Sequence, residues 1–282
     1  MRYVNLGCGS HYHPDWINID IEPSGPGVIA HDLSTGIPLE NDSCDVVYHS
    51  HVLEHIRRPD ALPFIRECRR VLKPGGVLRI AVPDLERICR LYIQKLDAAL
   101  EGDAAAAADY NWMLLEMYDQ TVREKSGGAM GSYLRTRPLP NREFIFERIG
   151  EHGRAMVESL QNGNGTAGAA AHVPAERALS GKGRSAGEVL RKVRGRIVGA
   201  LLGAKERRAL EVGRFRMAGE VHQWMYDRFS LARLLREAGF VDPQVRSAAD
   251  SLIPDWNRFH LDALADGSVV KPDSLFMEGV KP

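Results

Sequence analysis

Histidines stand at positions 11, 13, 49, 51, 55 and 222, and aspartates at 20, 32 and 84, each next to a short apolar run or its end. Imidazole changes charge near neutral pH, so a histidine cluster is suited to taking a proton from an oxygen nucleophile. A carboxylate at a strand end can accept hydrogen bonds from a ligand's hydroxyl or amino groups. Near the N-terminus, "VNLGCGSHYHPDWINID" (residues 4–20) runs an apolar pair into a glycine turn, and Asp20 closes the next apolar run. Glycines after a strand let backbone amides approach a ligand closely.

The elements that must position these residues are legible from periodicity. "YVNL", "WINID", "GVIAHD", "CDVVYHS" and "GVLRIAVPD" read as five strands. Between the fourth and fifth, "PDALPFIRECRRVLKPGG" carries Leu62, Ile65, Val71 and Leu72 on one helical face and stops at Pro-Gly-Gly. Strands buried on both faces and separated by helices imply a doubly wound α/β sheet. In such a sheet the ligand lies beyond the carboxyl ends of the strands. Asp20 there suits ribose hydroxyls, Asp32 suits an exocyclic adenine amine, and Gly7 with Gly9 admits the rest of the ligand. The trio describes a nucleoside with a compact, non-phosphate tail. A dinucleotide fits less well, because Tyr12 holds the third glycine position of G-x-G-x-x-G.

After Asp84 the text turns helical. "LERICRLYIQKLDAALEG", "DYNWMLLEMYDQTVREK" and "NREFIFERIGEHGRAMVESLQNG" read as helices, with "SGGAMGSYLRTRPLP" as a loop between the last two. The Gly- and Ala-rich stretch at about 162–187 reads as a linker. The strand pattern returns near residue 222: "SLARLLREAGF" is a helix capped by Ser230 and stopped at Gly239, and "VDPQVRSAAD" and "SLFMEGVK" are strands parted by a long polar loop. The expected organisation is a sheet domain over 1–84, a mostly helical insertion or lid over 85–220, and completion of the sheet domain over 221–282.

In combination these segments resemble the class I S-adenosylmethionine-dependent methyltransferases. "VNLGCGS" is similar to the family's first motif, "HDL" to its adenine-binding segment, "CDVVYHSHVLEHI" to its fourth strand with the following helix, and "RRVLKPGGVLRIAVPD" to its fifth-strand signature. The resemblance implies a Rossmann-like, seven-stranded sheet, mostly parallel with the last strand antiparallel, and S-adenosylmethionine as cofactor. It implies that Gly7, Cys8 and Gly9 face the methionine end, Asp20 the ribose, and Asp32 with Leu33 the adenine. His49, Ser50 and His51 would flank the reacting sulfonium. Asn5 takes the place of the usual acidic residue and His11 that of the motif's last glycine. Eleven steps separate Gly9 from Asp20. At about 1.5 Å per residue a three-turn helix alone would use them up, so the first helix must be cut to a turn. A bacterial branch associated with glycan assembly shows a similar opening, which implies O-methylation of a sugar or glycan intermediate.

Within that resemblance, the catalytic candidates are His222, His51 and Asp84. "EVHQWMYD" would run back over the cofactor cleft, which makes His222 a base or acceptor-orienting residue; a hydrogen-bonded histidine at a helix end is the competing reading. His51 and His55 share a helix face with Glu54 nearby, a spacing compatible with a metal, but the resemblance accounts for "HVLEH" without one, and no metal is expected. The alternatives to a glycan enzyme are a small-molecule or natural-product methyltransferase and a catalytically silent cofactor-binding subunit.

Bulk composition narrows the partners. Lys plus Arg equals Asp plus Glu at 37 each, which gives no case for a nucleic-acid partner. The four cysteines lack zinc-ligand spacing, and with no leader or spanning apolar run a soluble cytoplasmic protein is expected. Residues 182–216 hold eleven Lys or Arg against three Glu. A basic amphipathic helix there would suit the inner membrane surface and a lipid-carried acceptor, whereas packing on the protein's own domain or on a second subunit is the plainer reading.

Overall fold

The computed structural model describes residues 1–161 and 202–282. Seven strands form one sheet: β1 Tyr3–Leu6, β2 Ile17–Asp20, β3 Val28–Ala30, β4 Cys44–Ser50, β5 Leu72–Pro83, β6 Val241–Arg246 and β7 Ser274–Val280, in the order β3-β2-β1-β4-β5-β7-β6. All pairs are parallel except those of β7, which runs antiparallel to both β5 and β6. This is the doubly wound, Rossmann-like sheet expected, with its order reversing at β1.

One face is packed by α1 (Arg58–Val71) and the C-terminal helix Arg228–Glu237, whose Phe64, Ile65, Cys68, Leu231 and Leu235 meet Val4, Leu6, Val47, Leu78 and Ile80. The other face carries Tyr3, Val46, Tyr48 and Val77, and no full helix follows β1 to cover it: residues 10–16 make only turns. Its cover comes from the long segment before β7. Ile253, Trp256, Phe259 and Leu261 close over Trp16, with Tyr3 and Trp16 stacked at 5.0 Å. The segment expected to be a polar loop is therefore an aromatic lid on the sheet, a direct consequence of the shortened first helix.

Between β5 and the C-terminal helix lie α2 (Leu85–Leu100), α3 (Ala104–Leu114), α4 (Gly128–Leu134), α5 (Arg142–Gln161) and α6 (Ala204–Arg216); α7 is Arg228–Glu237. Helices α2 to α5 build a core of their own around Ile88, Trp112, Met113, Leu134, Ile145 and Phe146. Two sequence expectations fail here. The stretch read as a loop contains α4, because Gly128, Gly131 and Leu134 are buried against that core and packing outweighs weak helix propensity. Ser230 is not the N-cap of α7: Asp227 is, and the two side chains form a reciprocal capping box. The linker expected at about 162–187, and residues 182–201 of the basic stretch, fall outside the described residues; 202–216 include α6. Among the described residues no helix is long and apolar enough to cross a membrane.

Candidate active site

A cleft of about 1330 Å³ opens at the carboxyl ends of the parallel strands and runs on to the helical layer. At one end sits the glycine turn. Gly7 and Gly9 both have positive φ (63° and 53°), and a Cβ at Gly7 would stand 2.4 Å from Cγ2 of Val52. Only glycine satisfies both constraints at position 7. The Gly7 amide donates to the Ile19 carbonyl at 2.8 Å, and the Gly9 amide donates to Oδ2 of Asp20 at 2.7 Å, so the turn is tied to the end of β2. Asn5, Gly7, Cys8, Gly9, Asp20, Asp32, Leu33, Ser50 and His51 all line this cleft. Asn5 is 1% exposed and its Nδ2 has no hydrogen-bond partner, a donor left for something in the cleft. Burial pushes the Cys8 thiol up to about 12, which makes it a packing residue rather than a nucleophile. Asp32 caps the turn at Leu33–Thr35, and hydrogen bonds from Ser34 hold its carboxyl below the usual range.

His49 and Asp84 are placed elsewhere. The His49 ring is fully buried beside Phe64 (centroids 5.4 Å apart), and burial takes its pKa down to about 3. The alternation of β4 sends it to the helix-packed face while Ser50 and His51 reach the cleft. Asp84 is the N-cap of α2, accepting from the Arg87 amide at 3.1 Å, and lies outside the cleft lining.

Beyond the glycine turn, titratable groups converge. His51 holds a left-handed backbone (φ 55°), its Nε2 is 2.8 Å from Oγ of Ser274, and its Nδ1 lies 3.2 Å from Oε1 of the fully buried Glu54. His55 meets the edge of His222 with centroids 4.8 Å apart. His222 is brought there by a strap pinned at three points: its own amide donates to the Gln120 carbonyl (2.9 Å), and the amides of Gln223 and Trp224 donate to the Glu54 carbonyl. Burial, with His55, His51, Arg123 and Lys271 nearby, holds His222 well below the ordinary imidazole range. It is neutral, and its Nδ1 has no hydrogen-bond partner. Burial raises the carboxyl of Glu54, and burial followed by Glu54 pushes the Tyr226 phenol up to about 12.

The helical layer adds a second polar wall that sequence reading missed. A π-helical turn at Leu115–Asp119 buries Glu116 and Asp119, and Glu116 lines the cleft. Arg148 pairs with Glu116 at 2.5 Å, and Arg123 bridges Asp119 (2.8 Å) and Glu220 (2.9 Å). Their signal lay in charged residues set inside apolar helical text; Asp119 and Arg123 are an i, i+4 pair, whereas Arg148 and Glu220 are 32 and 97 residues from their partners.

The family model described as "Methyltransferase domain" matches residues 8–80, which hold Cys8 and Gly9 of the glycine turn, β2 to β4, α1 and most of β5. Residues 8–80 are similar to a methyltransferase domain, and the sheet has the Rossmann-like fold of the class I S-adenosylmethionine-dependent methyltransferases. A Mycolicibacterium smegmatis protein named as a probable S-adenosylmethionine-dependent methyltransferase is 41% identical over 56 residues, 20% of this chain and 21% of that protein. The match therefore spans about a fifth of the relative's length. Solved S-adenosylmethionine-dependent methyltransferases from Mesorhizobium loti and Archaeoglobus fulgidus are 24% and 21% identical, cover 29% and 33% of this chain and 47% and 50% of their own, with TM-scores of 0.24 and 0.27. TM-scores of this size carry no argument about the reaction.

The residues at the glycine turn fit the cofactor, with open space over the backbone at Gly9 and an unpartnered donor on Asn5. Replacing Asp20 by Ala removes the acceptor of the Gly9 amide together with the ribose contact that the family resemblance implies. A hydrogen bond to a charged group is worth about 1.5–3 kcal/mol. Affinity for S-adenosylmethionine is therefore expected to fall roughly ten- to hundredfold, read by titration calorimetry with the fold checked by circular dichroism. Unchanged affinity would remove Asp20 from the binding site.

Proposed function

We propose that the protein transfers a methyl group from S-adenosylmethionine to a hydroxyl of a sugar or glycan intermediate. The observation that carries this reading is the cleft itself: at about 1330 Å³ it exceeds an ordinary small-ligand site. Its part beyond the glycine turn is lined by Glu116, Gln120, Arg123, Glu220, Asp273 and Lys271, groups that match a polyhydroxylated acceptor.

When bound, S-adenosylmethionine supplies a methyl group on an electrophilic sulfonium. Asn5, the 7–9 turn, Asp20 and Asp32 would hold it. In-line methyl transfer asks the protein chiefly to align the acceptor oxygen and to manage one proton. His222 offers a neutral nitrogen lone pair in the cleft for the acceptor hydroxyl, while the Gln120 carbonyl and the 223–224 strap fix its position. Ser50 and His51 lie at the carboxyl end of β4 and line the same cleft.

Met130, Leu134, Ile149 and Met156 form an apolar stretch of the same wall and favour a second reading, an apolar natural-product acceptor. The test is methyl-labelled S-adenosylmethionine with a panel of nucleotide sugars, glycosides and phenolic compounds, products read by mass spectrometry. Label on a sugar hydroxyl is the expected result. Label confined to the phenolic compounds would replace the first reading with the second, and no label on any acceptor would sink both.

A further inference from the structure

Among the described residues, one set of three groups brings metal-ligand atoms together: a carboxylate oxygen of Glu54 and a ring nitrogen of each of His55 and His222, all within 4.8 Å of one another. The set is not a surface accident. Glu54 is 0% exposed and His222 5% exposed. Glu54 has an ionic neighbour at Oε1, His51 Nδ1 at 3.2 Å, its Oε2 makes no hydrogen bond, and Nδ1 of His222 has no hydrogen-bond partner. A buried carboxylate and a buried imidazole nitrogen in this condition are costly to keep unless something occupies the space between them.

The backbone holds the arrangement from both sides. Glu54 and His55 belong to the 3₁₀ turn Leu53–His55 that follows β4, and the strap bearing His222 is fastened to that turn through the Glu54 carbonyl. His51, with Nδ1 3.2 Å from Glu54 Oε1 and Nε2 2.8 Å from Ser274 Oγ, orients the carboxylate from the far side. Carboxylates that ligate metals are themselves held by polar groups behind them, and His51 stands in that position.

We propose that Glu54, His55 and His222 bind a divalent transition-metal ion. Two imidazoles and one carboxylate select zinc, iron or manganese over calcium and magnesium, which take oxygen ligands. Ligand atoms about 2.0–2.2 Å from an ion lie roughly 3.3 Å apart in a tetrahedron. Separations of at most 4.8 Å therefore close by side-chain shifts of up to about 1.5 Å. Three protein ligands leave coordination positions open, and His55 and His222 both line the cleft. An acceptor hydroxyl in such a position would be polarised by the ion, as a metal acidifies bound water. This role rests on the sugar-hydroxyl reading above; the binding of the ion does not.

The test uses the full chain, stripped with a chelator and titrated with Co²⁺ alone while visible absorption is followed. The expected result is one equivalent bound with nitrogen and oxygen ligand bands. His222→Ala and Glu54→Gln should each weaken binding by at least roughly a hundredfold, the upper end of what outer supports contribute. Retained S-adenosylmethionine affinity certifies each variant's fold, and His222→Gln replaces His222→Ala if the latter unfolds. No bound Co²⁺, a sulfur-to-metal charge-transfer band, or folded variants that bind as the parent does would each overturn the proposal. The two readings fail separately: Co²⁺ bound by the trio without sugar methylation would leave the ion site and sink the acceptor. Sugar methylation undiminished in chelator, by a chain that binds no Co²⁺, would do the reverse.

Discussion

Replacing Arg79 by Met is expected to destabilise the protein by about 3–5 kcal/mol, the cost of leaving buried charges without their counter-ion. Arg79 lies in the middle of β5 and is 0% exposed. Its guanidinium donates to Asp262 and to Glu278, each at 2.8 Å, and to the carbonyls of Ser247, Ala248 and Asp250, and it stacks over Trp256 at 4.5 Å. One side chain thus fastens the segment that caps the second sheet face to β5 and β7. Methionine keeps most of the volume, but Asp262 and Glu278 then face each other's charge with Tyr48, Ser251 and the Leu252 amide as donors and Arg246, 3.5 Å from Glu278, as a neighbouring cation. The measurement is urea denaturation, with the midpoint falling steeply and the slope nearly unchanged. Replacing Arg79, Asp262 and Glu278 together with apolar residues should cost less than Arg79→Met alone, because no unpaired charge remains. A single variant within about 1 kcal/mol of the parent would mean that the cluster is solvated in solution.

The same cluster shows where sequence reading stops. Strands β1 to β5 and helix α1 are written in local alternation, in which each residue's face follows from its neighbours, and the glycine turn announces itself by two positive-φ positions at fixed spacing. Arg79, Asp262 and Glu278 are separated by 183 and 199 residues, so each reads alone as an ordinary solvated charge. Trp256 and Phe259 stand in polar text and declare their burial only once the missing helix after β1 leaves a face to be covered. Asp227 was legible and passed over: an acid three places before Ser230 is the signature of a capping box, and reading the serine as the cap displaced the start of α7. Within the candidate site, the i, i+3 and i+4 spacing of His51, Glu54 and His55 was visible, but the position of His222 beside them depends on the strap's backbone hydrogen bonds across the fold.

His222→Ala should lower kcat by roughly a hundredfold or more, the range expected when a group that manages the acceptor's proton is lost. The affinity for S-adenosylmethionine should stay within a few-fold, since His222 stands beside His55 rather than at the 7–9 turn. The backbone amide of His222, not its ring, holds the strap to Gln120, so truncation leaves that fastening in place. Truncation leaves a small cavity, so some loss of stability accompanies the change. A purely packing role predicts that stability falls while kcat at saturating substrate stays at the parent value, and that result would take His222 out of the mechanism. A ligand role predicts more than a base role does. If an ion at the trio does the polarising, raising the metal concentration restores part of the lost rate, because Glu54 and His55 still offer two ligands and mass action can fill a weakened site. If the imidazole itself takes the proton, no concentration of metal recovers it. The dependence of the variant's kcat on added metal therefore separates the two chemistries that this one buried nitrogen can perform.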